Sequence, residues 1–315
     1  MLFISSDKIS ASLPYQELIS TLHKAFSRDT PLPVRQHHSF PGADGNLKGN
    51  LLLMPAWDNT DGLGVKLITV IPGNAEKKLP TIQGSYFLLD KETGNPLAVL
   101  DAKDLTTRRT AAASALASSF LSRKDSRTML MIGTGRLAPE LIRAHASVRP
   151  IKKVFVMGRS LEKAEKIKNE LKDEDFEVSP VLVYKSFIKE VDIICCATLS
   201  QKPLIFGKDL IPGQHVDLVG AYKPNARESD DEAIKISSVY VDTIEGATKE
   251  AGDIVIPIQT GRFSKDEIKG DLFDLCQGRS KGRVYDDEIT LYKSVGYALE
   301  DLVAAKLVYQ KVRDE

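Results

Sequence analysis

One heptapeptide constrains this chain more than any other. Ile132-Gly133-Thr134-Gly135-Arg136-Leu137-Ala138 fits Gly-x-Gly-x-x-Ala. It follows the apolar run Thr128 to Ile132 and opens a helical pattern over about 138–148. In such a turn the first glycine permits a sharp reversal and the second lets backbone approach a pyrophosphate. The small third residue packs helix on strand, and the helix N-terminus presents free N–H groups and positive dipole. The motif alone is weak, and a purely structural glycine turn is the alternative; the strand before it and the helix after it supply the confirming context. Further runs follow: a strand over 153–157, a helix over 161–171, then strands over 191–198, 216–219 and 239–242. Strands alternating with helices predict a Rossmann-type parallel sheet in an α/β fold.

The second strand of this unit ends Val156-Met157-Gly158-Arg159-Ser160. A site selecting NAD usually places Asp or Glu there to hold the ribose 2′-hydroxyl. None is present. Arg159 and the Ser160 hydroxyl suit a 2′-phosphate, and Lys163 adds charge one turn on. A solvated arginine at a strand end is the other reading. The residues favour NADPH and tolerate NADH. Thr198 falls at the carboxyl end of a strand, where open α/β sheets bind ligands. Cys195 and Cys196 point to opposite faces of that strand and read as packing residues.

The first half reads differently. A helix is expected over 14–27, then short strands over 51–57, 63–70, 81–90 and 97–101, separated by Gly and Pro turns. A helix over 104–122 follows, and Ser122 to Arg127 is a polar joint. A final helix is expected over 287–312. Arg108 and Arg109 fall near the start of the 104–122 helix, where cations oppose the macrodipole. Either an anion sits there, or both pair with Asp101 or Asp104. Lys66 shares a strand face with Gly64 and Ile68, either half-buried or snorkelling to the rim. Arg35 is uninformative by itself. The run Glu228, Asp230, Asp231, Glu232 reads as a helix N-terminus and its exposed face.

Lys plus Arg and Asp plus Glu both number 43, so no electrostatic footprint for nucleic acid or an anionic membrane exists. Three cysteines and five histidines show no zinc-ligand spacing, so no metal is expected. No apolar run approaches a membrane span, and no signal peptide is legible. The expectation is a soluble, cytoplasmic protein.

Several separated segments together resemble the ornithine cyclodeaminase/μ-crystallin family: Pro33-Val34-Arg35, Leu53-Met54-Pro55-Ala56, Val65-Lys66-Leu67, Arg108 to Ala112, the Gly133 turn, Val219 to Pro224, Lys293-Ser294-Val295-Gly296, and Glu300-Asp301. The resemblance implies an α+β substrate-binding and dimerisation domain (1–123 with 287–315) and a dinucleotide-binding domain (124–286). It implies that Arg35, Lys66 and Arg109 hold a substrate carboxylate, with Lys66 and Arg109 at the catalytic centre. It implies that Gly133, Thr134, Gly135, Arg136 and Leu137 meet the pyrophosphate. Arg159, Ser160 and Lys163 then meet the 2′-phosphate, and Thr198, Leu199, Val219 and Ser294 lie near ribose and nicotinamide.

One departure separates activities within the family. Cyclodeaminases and archaeal alanine dehydrogenases carry Asp after a Gly-Gly or Gly-Ala pair; here Gly220-Ala221 is followed by Tyr222. Without that base, cyclodeamination is disfavoured. The pattern is similar to that of ketimine reductases, which convert Δ1-pyrroline-2-carboxylate to L-proline and Δ1-piperideine-2-carboxylate to L-pipecolate. The expected partners are a small cyclic imino acid and a second copy of the chain. Other readings are an alanine or opine-type dehydrogenase, an ornithine cyclodeaminase, and a non-catalytic μ-crystallin-like ligand carrier. The proton donor is left open between Lys66, water and a substrate that arrives protonated.

Overall fold

A computed structural model describes residues 1–42 and 45–314. The strands are β1 (Leu2–Ile4), β2 (Gln36–Pro41), β3 (Leu47–Trp57), β4 (Gly62–Val70), β5 (Ile82–Asp90), β6 (Pro96–Asp101), β7 (Thr128–Ile132), β8 (Lys153–Met157), β9 (Glu177–Val181), β10 (Ile193–Cys196), β11 (His215–Leu218), β12 (Ser238–Val241), β13 (Gly270–Asp271) and β14 (Thr290–Lys293). The helices are α1 (Ser6–Ser12), α2 (Tyr15–Phe26), α3 (Ala102–Leu121), α4 (Leu137–Val148), α5 (Leu161–Glu170), α6 (Asp231–Ile236), α7 (Ile244–Glu250), α8 (Gly252–Gln259), α9 (Leu272–Cys276) and α10 (Ala298–Arg313). The chain divides into two compact units, 1–110 with 297–315 and 111–296.

The first unit holds a six-stranded sheet in the order β1-β6-β5-β4-β3-β2. Its β2–β6 run is antiparallel, with β1 added parallel to β6. Alternation along β4 buries Gly62, Gly64 and Lys66 on one face. Helix α10 packs on β3, β4 and β5, and on α1 and α2. Asp101 accepts the Lys103 amide at 2.7 Å, so α3 starts at Ala102 and not near residue 104. Arg109 therefore lies two turns into the helix, and the macrodipole argument does not apply to it.

The second unit is an eight-stranded, wholly parallel sheet, order β13-β12-β14-β11-β10-β7-β8-β9. The chain runs outward from β7 through β8 to β9, then restarts beside β7 with β10 and β11. The reversal lies between β7 and β10, the position where such sheets bind ligands. Strands buried on both faces, such as Ile193–Cys196, read as unbroken apolar runs. Their core includes Leu130, Ile132, Phe155, Ile194, Val216 and Leu291.

The expected 287–312 helix is corrected. It starts only at Ala298, and Thr290–Lys293 is a strand between β11 and β12. Ile289, Tyr292, Val295 and Leu299 happen to match a helical period. Gly296, at φ 89°, breaks the backbone between the two elements. No helix among the described residues is long and apolar enough to cross a membrane.

Candidate active site

In the first unit, strand alternation and one helix gather an ionic cluster. Lys66 is 2% exposed, so the snorkelling reading is wrong. Its Nζ lies 2.6 Å from Asp301 Oδ2. Arg109, 4% exposed, reaches Glu300 Oε2 at 2.6 Å and Asp301 Oδ1 at 3.1 Å. Its partners come from α10, and neither Asp101 nor Asp104 pairs with it here. Arg35 is close enough to act electrostatically on both Lys66 and Asp301. The segment before Arg35 is anchored to the start of α10: the Leu32 amide donates to Tyr297 Oη at 2.8 Å, and that hydroxyl donates to Thr30 O at 2.9 Å.

Arg35, Lys66 and Arg109 thus gather around Glu300 and Asp301. Burial and the neighbouring Arg109 bring the Lys66 ammonium down to about 7, against the opposing pull of Asp301. Burial alone would raise Asp301, but Arg109 and Lys66 outweigh it and hold the carboxyl below its ordinary range. Arg109 remains a cation, because Asp301 and Glu300 outweigh its burial. Such a cluster can accept one small carboxylate and holds a lysine that exchanges its proton near neutrality. The sequence reading gave Glu300 and Asp301 no role. The available signal was two acids inside an otherwise apolar stretch of α10.

In the second unit the glycine turn has the geometry a dinucleotide needs. Gly133 has φ 122°, and a Cβ there would lie 2.5 Å from Ala197 O. A Cβ on Gly135 would meet nothing within 4 Å, so backbone at the head of α4 lies open to a phosphate. Thr134, Arg136 and Leu137 complete the turn, with Arg136 exposed as the N-cap. Arg159 and Lys163 are exposed. Ser160 is the N-cap of α5, and its hydroxyl makes no cap bond. No carboxylate ends β8. Leu199 is 83% exposed, while Val219 is buried. Ser294 is buried too, and its hydroxyl donates to Asp242 at 3.3 Å. These residues fit a nicotinamide dinucleotide.

Glu228 departs from the reading of its acidic run, which holds for Asp230, Asp231 and Glu232 at the start of α6. Glu228 is fully buried, and only Asp230 caps α6. Its Oε1 accepts the Thr198 amide at 2.6 Å and Thr198 Oγ1 at 2.7 Å. Its Oε2 accepts Gly220 N at 2.8 Å and Ala221 N at 3.3 Å. Lys293 Nζ, also buried, is 4.0 Å from Glu228 and 3.3 Å from Asp253. Spacing also hid a buried His145–Cys195–Asp217 group. There Asp217 accepts from Cys195 at 3.2 Å and from Ser114 at 3.2 Å, with His145 Nε2 3.1 Å away. Burial, with Asp217 beside it, keeps the Cys195 thiol protonated.

A glycine-turn parallel sheet together with a buried cation cluster defines a dinucleotide-dependent enzyme class. The chain belongs to the Ornithine cyclodeaminase/mu-crystallin family, which matches residues 2–315. It is 39% identical to the Delta(1)-pyrroline-2-carboxylate reductase of Colwellia psychrerythraea, covering 100% of both chains. It is also similar to the solved Thermococcus litoralis Delta(1)-pyrroline-2-carboxylate reductase in complex with NADH and L-proline. That match has a TM-score of 0.92 and 33% identity, covering 100% of this chain and 98% of that one. An archaeal alanine dehydrogenase dimer with bound NAD matches with a TM-score of 0.90 and 28% identity, over 100% and 96%.

Proposed function

We propose that this protein is an NAD(P)H-dependent oxidoreductase that reduces cyclic ketimines. The substrates are Δ1-pyrroline-2-carboxylate, giving L-proline, and Δ1-piperideine-2-carboxylate, giving L-pipecolate. The carrying observation is the cluster of buried Lys66 and Arg109 with half-buried Arg35 around Glu300 and Asp301. The similarity to reductases of that substrate supports the same reading.

Arg35 and Arg109 hold the substrate carboxylate and fix the ring, which lowers the entropic part of the barrier. Bound dinucleotide supplies the hydride for C2. Lys66 gives a proton to the imine nitrogen as the C=N bond becomes C–N, and Asp301 keeps the ammonium aimed. The incoming carboxylate adds negative charge beside Lys66 and favours its protonated form, so the substrate helps to charge its own acid. Tyr222 stands where cyclodeaminases carry a base, and reduction of a ready-formed imine requires none there.

Arg159, Ser160 and Lys163 favour NADPH, and the lack of a repelling or selecting carboxylate leaves NADH accepted. Dinucleotide binding belongs to the second unit, substrate binding and dimerisation to the first. The face of the β2–β6 sheet opposite α10 carries Leu53, Val65, Leu67 and Phe87, all half-buried in the single chain. A second copy covers it in this reading, which agrees with the dimer of the alanine dehydrogenase relative. Three buried free cysteines accord with a reducing, cytoplasmic setting.

The test is loss of nicotinamide absorbance with purified protein and Δ1-pyrroline-2-carboxylate. Imine-dependent oxidation of NADPH or NADH is expected. No turnover with either cofactor and either ring size would overturn the reading in favour of a carrier.

A further inference from the structure

We infer that Glu228 is a positioning residue for the nicotinamide half of the dinucleotide, locking the loops after β10 and β11 into one receiving surface. The inference rests on the dinucleotide-binding reading above.

The topology sets which half is concerned. Strands β7, β8 and β9 form the half-sheet that begins at the glycine turn and receives the adenosine side. Strands β10 and β11 lie across the reversal, where the nicotinamide side falls. The loops that leave them carry Thr198 and Gly220-Ala221. All four groups aimed at Glu228 from these loops are donors: three backbone amides and one hydroxyl. Only a carboxylate accepts all of them. An amide side chain would turn its own NH2 on one loop. The loops also touch directly: a Cβ on Gly220 would lie 2.0 Å from Thr198 O and 2.5 Å from Glu228 Oε1.

The carboxylate is itself held from behind. Asp253 Oδ1 accepts Glu228 N at 2.8 Å, Ser229 N at 2.8 Å and Ser229 Oγ at 2.9 Å. Lys293, on β14, supplies the buried counter-charge to both acids. Burying three charged side chains is costly. Here that cost holds two ligand-facing loops in register.

The experiment compares Glu228→Gln with the unaltered protein in binding NADH, followed by its fluorescence, and ADP-ribose, followed by calorimetry. ADP-ribose lacks only the nicotinamide end. We expect NADH to bind about tenfold more weakly, the loss typical of a charged hydrogen bond, with ADP-ribose affinity unchanged. Equal losses for both ligands, or no loss for NADH, would overturn the inference. If Glu228→Gln does not fold, Thr198→Val removes one of the four bonds and must show the same split, smaller in size. If the unaltered protein binds neither ligand, the dinucleotide reading falls and takes this inference with it.

Discussion

Asp301 stands between Lys66 and Arg109, with Oδ2 2.6 Å from the lysine Nζ and Oδ1 3.1 Å from the arginine Nε. One carboxylate thus aims the lysine and braces the arginine to which the proposed function gives proton donation and carboxylate binding. Without it, Lys66 would face Arg109 and Arg35 without its own paired carboxylate, and would lose its proton more readily. Asp301→Asn is therefore expected to lower imine reduction at neutral pH by about 100-fold, within the range for loss of general acid catalysis. Its activity should be partly restored at lower pH. A pH–rate profile superimposable on that of the unaltered enzyme would contradict the role given to the Lys66–Asp301 pair.

The Lys66 pKa of about 7 also sets a direction for the unaltered enzyme. In the proposed mechanism reduction needs the ammonium form, so kcat/KM should fall as pH rises through about 7. Oxidation of L-proline needs the neutral amine and should rise over the same interval. Because kcat/KM reports the free enzyme and kcat the complex, the limb in kcat should lie at higher pH, shifted by the bound carboxylate. Parallel profiles in both directions check this, and limbs that move the same way would exclude Lys66 as the shared group.

Arg109→Ala removes the partner of two buried carboxylates. Stability should fall by about 3–5 kcal/mol, the usual cost of breaking a buried ion pair from one side. Imine turnover should be nearly abolished, while NADH affinity, which the proposed function assigns to the second unit, should hold. Denaturant titration and cofactor fluorescence measure the two effects. Near-normal turnover would remove Arg109 from the carboxylate site.

What the sequence made legible follows from distance along the chain. The glycine turn, β7, α4 and β8 are contiguous, and local pattern sufficed for them. Lys66 and Arg109 were singled out as candidates, but their partner Asp301 lies 235 and 192 residues away, and no periodicity links them. Glu228 looked like solvated charge because its neighbours Asp230, Asp231 and Glu232 form the start of α6, whereas its own partner Thr198 is 30 residues back. Strand β14 was hidden for another reason: all four of its residues are buried, so the alternation that marks a half-exposed strand is absent.

In the proposed function cofactor choice turns on Arg159, just after β8 where no acid stands. Arg159→Ala should weaken NADPH by about tenfold through loss of a charge-assisted bond, with the exposed setting keeping the effect at the low end. NADH should change little. Equal losses for both cofactors, measured by fluorescence titration, would show that Arg159 does not meet the 2′-phosphate.

The apolar sheet face makes a last prediction. Leu67 pairs with Leu53 on one side and Ser85 on the other, and Val65 with Phe87. Charge placed there would remain solvated in a monomer and be buried in a dimer. Leu67→Asp should therefore shift the protein toward monomer with little loss of monomer stability, because its side chain is only half-buried in the single chain. Sedimentation at several concentrations reads the association, and urea titration reads the fold. An unaltered oligomeric state would mean that a second copy does not cover this face.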